Sequence, residues 1–444
     1  RENMCRLLDV TQENNLDAYY TFDNVTGTKL QDISGNDIDG TWQGSGGGSY
    51  TSPSWTPSSA FNTWLNTSSS DWGTETNWSL GSVPSSTDNV GVHDQSGTDP
   101  AIGAEIECNH LVVGNEVSLA FNYSGSHTIH GSAFNIGHTN INPGNKLTIT
   151  KSLYMLPFSS LDLEPGGQLS IGHNLYNNIL GSPGDFTLES DATGTGSLIL
   201  TGTVDGSINA QRFLTHDRWH YISDPVNTSG NFDALNLGLG TPGSSSNQFY
   251  RWDESYTLGS YTGYWIDILN GSDGTGSNTL MDEEGFVDCQ GYAVNYVTTD
   301  KTITLSGPLH TTDQSINLTK TAGSFEGANL VGNPFSSTIA INTGADGTNN
   351  FLTQNAAALD NSYEAIYLWN ESAGWDGKSN ADYNAVSNSD AAFYASPGQG
   401  FMVMATSNGA TLNFNTSIRK HGTSVYYKNE SESDYPGVRL YAAT

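Results

Sequence analysis

Short apolar pairs, each split by one intervening residue, run through the first half of the chain. They are Leu147/Ile149, Leu153/Met155, Leu161/Leu163, Leu169/Ile171, Phe186/Leu188 and Leu198/Leu200. Alternation of this kind predicts strands that bury one face. The first four pairs recur every six to eight residues. That is too tight for ordinary hairpins of mean-length strands, but it suits short strands stacked as the sides of a β-solenoid. A Greek-key sandwich is the alternative, because alternation does not separate parallel from antiparallel pairing.

The second half repeats itself. Ile222-Ser223-Asp224-Pro225-Val226 is matched by Val331-Gly332-Asn333-Pro334-Phe335, and Gly291-Tyr292-Ala293-Val294 by Gly400-Phe401-Met402-Val403, both at an offset of 109. Ile303-Thr304-Leu305 and Leu412-Asn413-Phe414 share that offset, whereas Tyr250-Arg251-Trp252-Asp253-Glu254 and Tyr367-Leu368-Trp369-Asn370-Glu371 lie 117 apart. Loops of unequal length absorb the difference at little cost. The expected fold class is all-β with little helix: a short β-solenoid-like domain followed by a duplicated, jelly-roll-like β-sandwich. The best helix candidate is Phe351 to Asp360. The expected organisation is an N-terminal segment (1–62), a Trp-rich cap and solenoid-like domain (63–208), two sandwich copies (209–320 and 321–425) and a C-terminal strand or linker (426–444).

Composition narrows the partners. The chain of 444 residues carries 15 Lys and Arg against 46 Asp and Glu, a formal charge of −31, yet charged residues make up only 14%. The acidity thus comes from scarce bases, and such a polyanion repels nucleic acid and anionic lipid. No apolar run approaches the ~18 residues of a membrane-spanning helix. Three cysteines, Cys5, Cys108 and Cys289, fit no zinc or CxxC spacing and are expected to include free, buried thiols. No basic, apolar leader is read at the start, and Val438 to Thr444 reads as a strand with no turn after it.

Several segments carry a resemblance. Trp72…Asn77-Trp78…Val83-Pro84, Arg218-Trp219-His220-Tyr221-Ile222-Ser223-Asp224-Pro225, Asn329-Leu330-Val331-Gly332-Asn333-Pro334-Phe335 and Gly398-Gln399-Gly400-Phe401 resemble large secreted surface proteins of the Bacteroidetes. The resemblance covers roughly residues 64–425. It implies export by the type IX pathway, an adhesin-like or cell-surface role and no catalytic residues. Such proteins usually end in a sorting domain, which is not read in residues 426–444. Leu16 to Asp23, with Asp32-Ile33-Ser34-Gly35-Asn36 and Gly40-Thr41-Trp42, resembles the opening of a concanavalin-like (laminin-G-like) jelly roll before it runs into Gly46-Gly47-Gly48-Ser49.

Candidate chemistry is sparse. His216 and His220 have a metal spacing only on a helix, and on a strand they stand roughly 13 Å apart. Asp253-Glu254 and Asp282-Glu283-Glu284 are adjacent acids, whereas glycoside hydrolysis needs two carboxyls facing across a cleft. Asp273 and Asp346 head polar loops whose oxygens suit calcium, or a plain Asx turn. Trp252, Tyr256, Tyr261, Tyr264 and Trp265 form an aromatic-rich stretch, from which Trp252, Tyr261, Tyr264 and Trp265 are the candidates for a sugar-binding surface, against packing between the two copies. Trp64, Trp72 and Trp78 read as a wrapped cap of buried indoles. No catalytic residue and no cofactor is assigned. The expectation is a non-enzymatic extracellular structural or adhesive surface protein, partnered by copies of itself, neighbouring surface proteins or glycans, and assembling into filaments through exchanged terminal strands. The alternative is a carbohydrate-binding region of a larger secreted polysaccharide-degrading enzyme.

Overall fold

The computed structural model describes residues 60–422 apart from 66–68, 94–98, 178–183, 236, 240–246, 259–260, 270–279 and 371–381, together with 18–20, 29–30, 32, 36 and 38–41. The Gly/Ser stretch at 46–49 and the C-terminal strand at 438–444 lie outside the described residues. The chain is nearly all β and divides into two compact units, one running to Leu188 with Leu198–Asn209, the other Glu189–Ser197 with the chain from Ala210 onward.

The first unit is a β-solenoid of about five turns. All six apolar pairs lie on strands, and the pairing is parallel, which the alternation left open. One side stacks Val90–Val92, Leu111–Val113, Ala133–Asn135, Leu153–Met155 and Leu175–Tyr176. A second stacks Ser118–Phe121, His138–Ile141, Ser160–Leu163 and Asp185–Leu188, and a third Gly125–Ile129, Asn145–Ile149 and Gln168–Ile171. In-register stacking puts like on like: Phe121, Ile141, Leu163 and Leu188 form one fully buried column, and Ile129, Ile149 and Ile171 another. Polar residues that fall in the neighbouring inward columns find partners inside. His127 is held by Asn145 Oδ1 at 3.1 Å, and the Thr139 hydroxyl donates to Asn135 Oδ1 at 3.0 Å.

A polar ladder fixes the register at one corner, in the residue just before each strand of the first side. The Ser132 N–H donates to His110 Nδ1, that of Ser152 to Ser132 Oγ, that of Asn174 to Ser152 Oγ, and that of Thr203 to Asn174 Oδ1. On the outer face of that side, Phe134, Tyr154 and Tyr176 stack with centroids 4.5 and 4.8 Å apart, and Tyr19 and Phe61 pack on the same cluster. The expected cap is present: Trp64, Trp72 and Trp78 are buried, meet edge to face, and the Trp78 indole N–H donates to the Trp72 carbonyl at 2.8 Å.

In the second unit the repeat reappears as a shared strand order. One antiparallel sheet runs His220–Ile222, Tyr292–Asn295, Gln248–Leu258, Tyr261–Asp267. The other runs Ala328–Gly332, Gly400–Met404, Ala365–Asn370, Asp382–Ser387. Each strand stands where its counterpart in the repeat stands. The contacts between copies are exchanged in matched pairs: Ile222 bridges Gln399 while Gln290 bridges Val331. Likewise Ser223 N–H donates to the Gly398 carbonyl and Gly332 N–H to that of Cys289, both at 2.9 Å. A contact of i with j′ repeated as j with i′ is the mark of a two-fold relation, here within one chain. The left-handed turn is matched too, since Cys289 has φ 64° and Gly398 φ 63°.

The two sheets face each other through an aromatic layer. Tyr221, Ala293, Trp219, Tyr250, Trp252 and Trp265 of the first meet Ala328, Leu330, Met402, Tyr367, Trp369 and Tyr383 of the second. The far face of the first sheet packs Phe232, Phe249, Phe286 and Tyr292 edge to face. The far face of the second lies on a core of Phe335, Ile339, Phe351, Phe401 and Phe414. The expected helix is shorter than its sequence suggested, Phe351–Asn355. It starts at Asn350, whose side chain caps Thr353 N–H, and stops at Asn355, whose amide is committed to the backbone of Asn413 in both directions (2.8 and 2.7 Å).

Candidate functional site

The four aromatic candidates for a ligand surface do not share a face. Trp252 and Trp265 point into the layer between the copies, their rings 5.1 Å apart, and the Trp252 indole N–H donates to the Ala328 carbonyl at 2.7 Å. They serve the packing of the two sheets. Tyr264 lies on the opposite, outer face and is exposed, while the Tyr261 side chain lies outside the described residues.

Tyr264 has a neighbour that alternation along the strand conceals. From Trp252 and the buried Glu254, period 2 would send Tyr256 to the inner face. The register slips instead: Asp253 pairs with Tyr264 but Thr257 with Thr262, so three residues of one strand oppose Gly263 alone. Such a bulge re-aims a side chain. Asp253 holds it, its Oδ1 accepting from Ser255 N–H (3.1 Å), Ser255 O–H (2.7 Å) and Tyr256 N–H (3.1 Å). Gly263, at φ 82°, is required opposite, because a Cβ there would stand 2.8 Å from the Trp252 ring. Tyr256 therefore emerges beside Tyr264, with rings 5.8 Å apart, inclined by 39°, and 43% and 45% exposed.

The acid runs resolve into separate roles. Arg251 binds Asp253 Oδ2 at 3.2 Å and Glu284 at 3.1 Å, so members of both runs meet around one guanidinium on the outer face. Glu254 is buried on the inner side, where its Oε1 accepts from Thr321 N–H (2.6 Å) and Gly327 N–H (2.9 Å). It fastens the first copy to a loop of the second. Asp253 and Glu284 thus share one cation, while Glu254 is engaged apart from them by backbone N–H groups.

His216 pairs with Asp300 at 2.5 Å, while His220 is held by Thr215, so the two rings have different partners. Asp346 accepts from Thr348 and Asn349 N–H groups at 2.9 Å and binds Lys420 Nζ at 2.5 Å. These donors hold its carboxyl well below the usual range. An ammonium thus occupies the carboxylate that calcium would need, and the Asx-turn reading accounts for this loop. Asp273, the other calcium candidate, lies outside the described residues. Among the described residues, no group of three or more His, Cys, Asp or Glu side chains is placed to hold a metal ion. Cys108 and Cys289 are free and buried, and burial pushes both thiols up, Cys108 to about 12.

Burial lowers His93, in the solenoid, and His220, in the second unit, to about 4. The His93 ring lies over two glycines; a Cβ at Gly91 would stand 2.5 Å from Nε2 and one at Gly114 3.0 Å from Nδ1. A histidine whose folded pKa is depressed supports the fold fully above its unfolded value near 6.5, and that support is lost as pH falls from there toward 4. Between pH 7 and 4.5 the solenoid should lose about 2–3 kcal/mol through His93. Denaturant unfolding of the wild type and His93→Gln at both pH values measures this. The variant should lose less on acidification, and equal losses would remove His93 from the account.

No curated protein and no solved structure matches the chain. Residues 132–439, more than half of it and including parts of both units, match the family described as a domain of unknown function (DUF8693). The chain belongs to the DUF8693 family.

Proposed function

We propose that the chain is a non-enzymatic structural and adhesive protein of the extracellular surface. The observation that carries this reading is the use made of its polar side chains. In the solenoid, His110, Ser132, Ser152 and Asn174 each accept a backbone N–H from the next coil. In the second unit, Asp224 accepts from Val226 and Thr228 N–H groups, as its counterpart Asn333 accepts from Phe335 N–H. Residue types that elsewhere perform chemistry are here bound into the scaffold, leaving a strongly acidic surface that favours solubility and resists non-specific association. The sequence resemblance to secreted Bacteroidetes surface proteins points the same way.

Assembly through terminal strands belongs to this proposal. Of the two segments named in the sequence, the N-terminal island packs Tyr19 on the aromatic stack of its own solenoid, so exchange is proposed for the strand-like sequence at 438–444. An extended segment can add to the edge of a neighbour's sheet. Electron microscopy of the native protein, with sedimentation of the purified full chain over a wide concentration range, tests the reading. Regularly spaced units along a fibre or a surface layer are expected. A dispersed monomer at every concentration and on the cell would sink the assembly claim.

A further inference from the structure

We infer that the outer face of the bulged hairpin, Tyr256 and Tyr264 with Arg251, Asp253 and Glu284, is a binding platform for a neutral glycan. The inference rests on the adhesive reading above and gives it a ligand class.

Comparison of the two copies separates what the fold needs from what it does not. At the inward positions the copies agree: Tyr250 matches Tyr367 and Trp252 matches Trp369, and all four belong to the shared aromatic layer. At the outward positions they differ. Arg251 stands where the second copy has Leu368, which is buried in the core beneath that sheet, and Asp253 where it has Asn370. The equivalent strands of the second copy, Ala365–Asn370 and Asp382–Ser387, run in register, and the positions that would match residues 254–257 lie outside the described residues. Arg251 and Asp253 are therefore not demanded by the common sheet. The bulge that Asp253 holds costs regular pairing, and its result is to turn a tyrosine outward beside another.

Two inclined phenol rings present apolar faces with polar tips, which suits the C–H faces and hydroxyls of pyranose rings. Beside them, the half-buried Arg251–Asp253–Glu284 network supplies donors and acceptors already fixed in place, so little ordering is needed on binding. The guanidinium is matched by two carboxylates, which leaves the patch net negative. An acidic polysaccharide would be repelled, and a neutral one would not.

The test uses the full chain and, as probes, neutral β-1,4-glucan, β-1,4-xylan and α-mannan hexasaccharides, with an oligogalacturonate of equal length as the charged comparison. Calorimetric titration should show binding to at least one neutral probe and none to the uronate. Tyr256→Ala and Tyr264→Ala should each weaken binding about tenfold while unfolding as the wild type does. Tyr363→Ala, an exposed tyrosine elsewhere in the unit, should bind normally. Asp253→Ala, which keeps both rings but removes the acceptor that holds the bulge, should weaken binding as much as loss of a ring. No binding to any neutral probe, full binding by both tyrosine variants, or preference for the uronate would each overturn the inference. The assembly claim would stand or fall separately, on microscopy and sedimentation.

Discussion

Gly172→Ala is expected to destabilise the solenoid unit by about 2–3 kcal/mol. Its backbone does not adopt a left-handed conformation, so the cost comes from crowding alone. A Cβ at this corner would stand 2.3 Å from the carbonyl oxygen of Thr150 on the neighbouring coil, and 3.0 Å from its carbon. Neither coil is free to give. Gly172 N–H donates to Ile149 and His173 N–H to Lys151 on one side, while Thr201 and Gly202 N–H groups donate to Ile171 and His173 on the other. Opening the corner by the ångström needed would stretch those bonds in two directions. Gly202 is crowded in the same way, 2.4 Å from the His173 oxygen. Gly103→Ala is the control, because its Cβ would meet nothing closer than Asp71 Oδ1 at 4.0 Å and should stay within about 0.5 kcal/mol of wild type. Urea unfolding followed by the fluorescence of the buried cap tryptophans gives both values. Similar midpoints for the two variants would show that coil spacing is softer than these contacts imply.

The strands of the solenoid were legible because each buries one face, and a two-residue period survives whatever the partner strand does. Their parallel pairing was not. It is accompanied at one corner by a polar ladder whose rungs are His110, Ser132, Ser152 and Asn174, three residue types sharing the ability to accept a hydrogen bond. The duplication was visible in the 109-residue offset, and the matched bridges Ile222–Gln399 and Gln290–Val331 give that offset a physical meaning. The way the copies meet was hidden, because alternating aromatic residues look alike on either face of a sheet. The sequence drew Trp252, Tyr264 and Trp265 together as one surface, and cross-strand register divides them. Tyr256 stood in the same aromatic-rich stretch, but its outward turn beside Tyr264 depends on a slip held by Asp253. Periodicity names the residues of such a site without placing them on one face.

The division of that hairpin into an inner and an outer face leads to the second large effect. Trp265→Ala and Trp369→Ala should each cost about 3 kcal/mol, near the low end for tryptophan truncation because both rings are only partly buried. The two residues come from different copies but share Tyr221, whose ring lies 5.8 Å from Trp265 and 6.5 Å from Trp369. Tyr221 is further tied to the second copy by a 2.7 Å hydrogen bond between its hydroxyl and that of Tyr383. Removing one indole loosens Tyr221, so removing the other should then cost less. The double variant should fall short of the sum of the singles by about 1 kcal/mol. Phe414→Ala, in the separate core on the far face of the second sheet, should instead add to Trp265→Ala without coupling. Denaturant unfolding of the three single and two double variants completes both cycles. Additivity in the first cycle would mean that the copies touch through independent contacts, and the shared aromatic layer would lose its claim to hold them together.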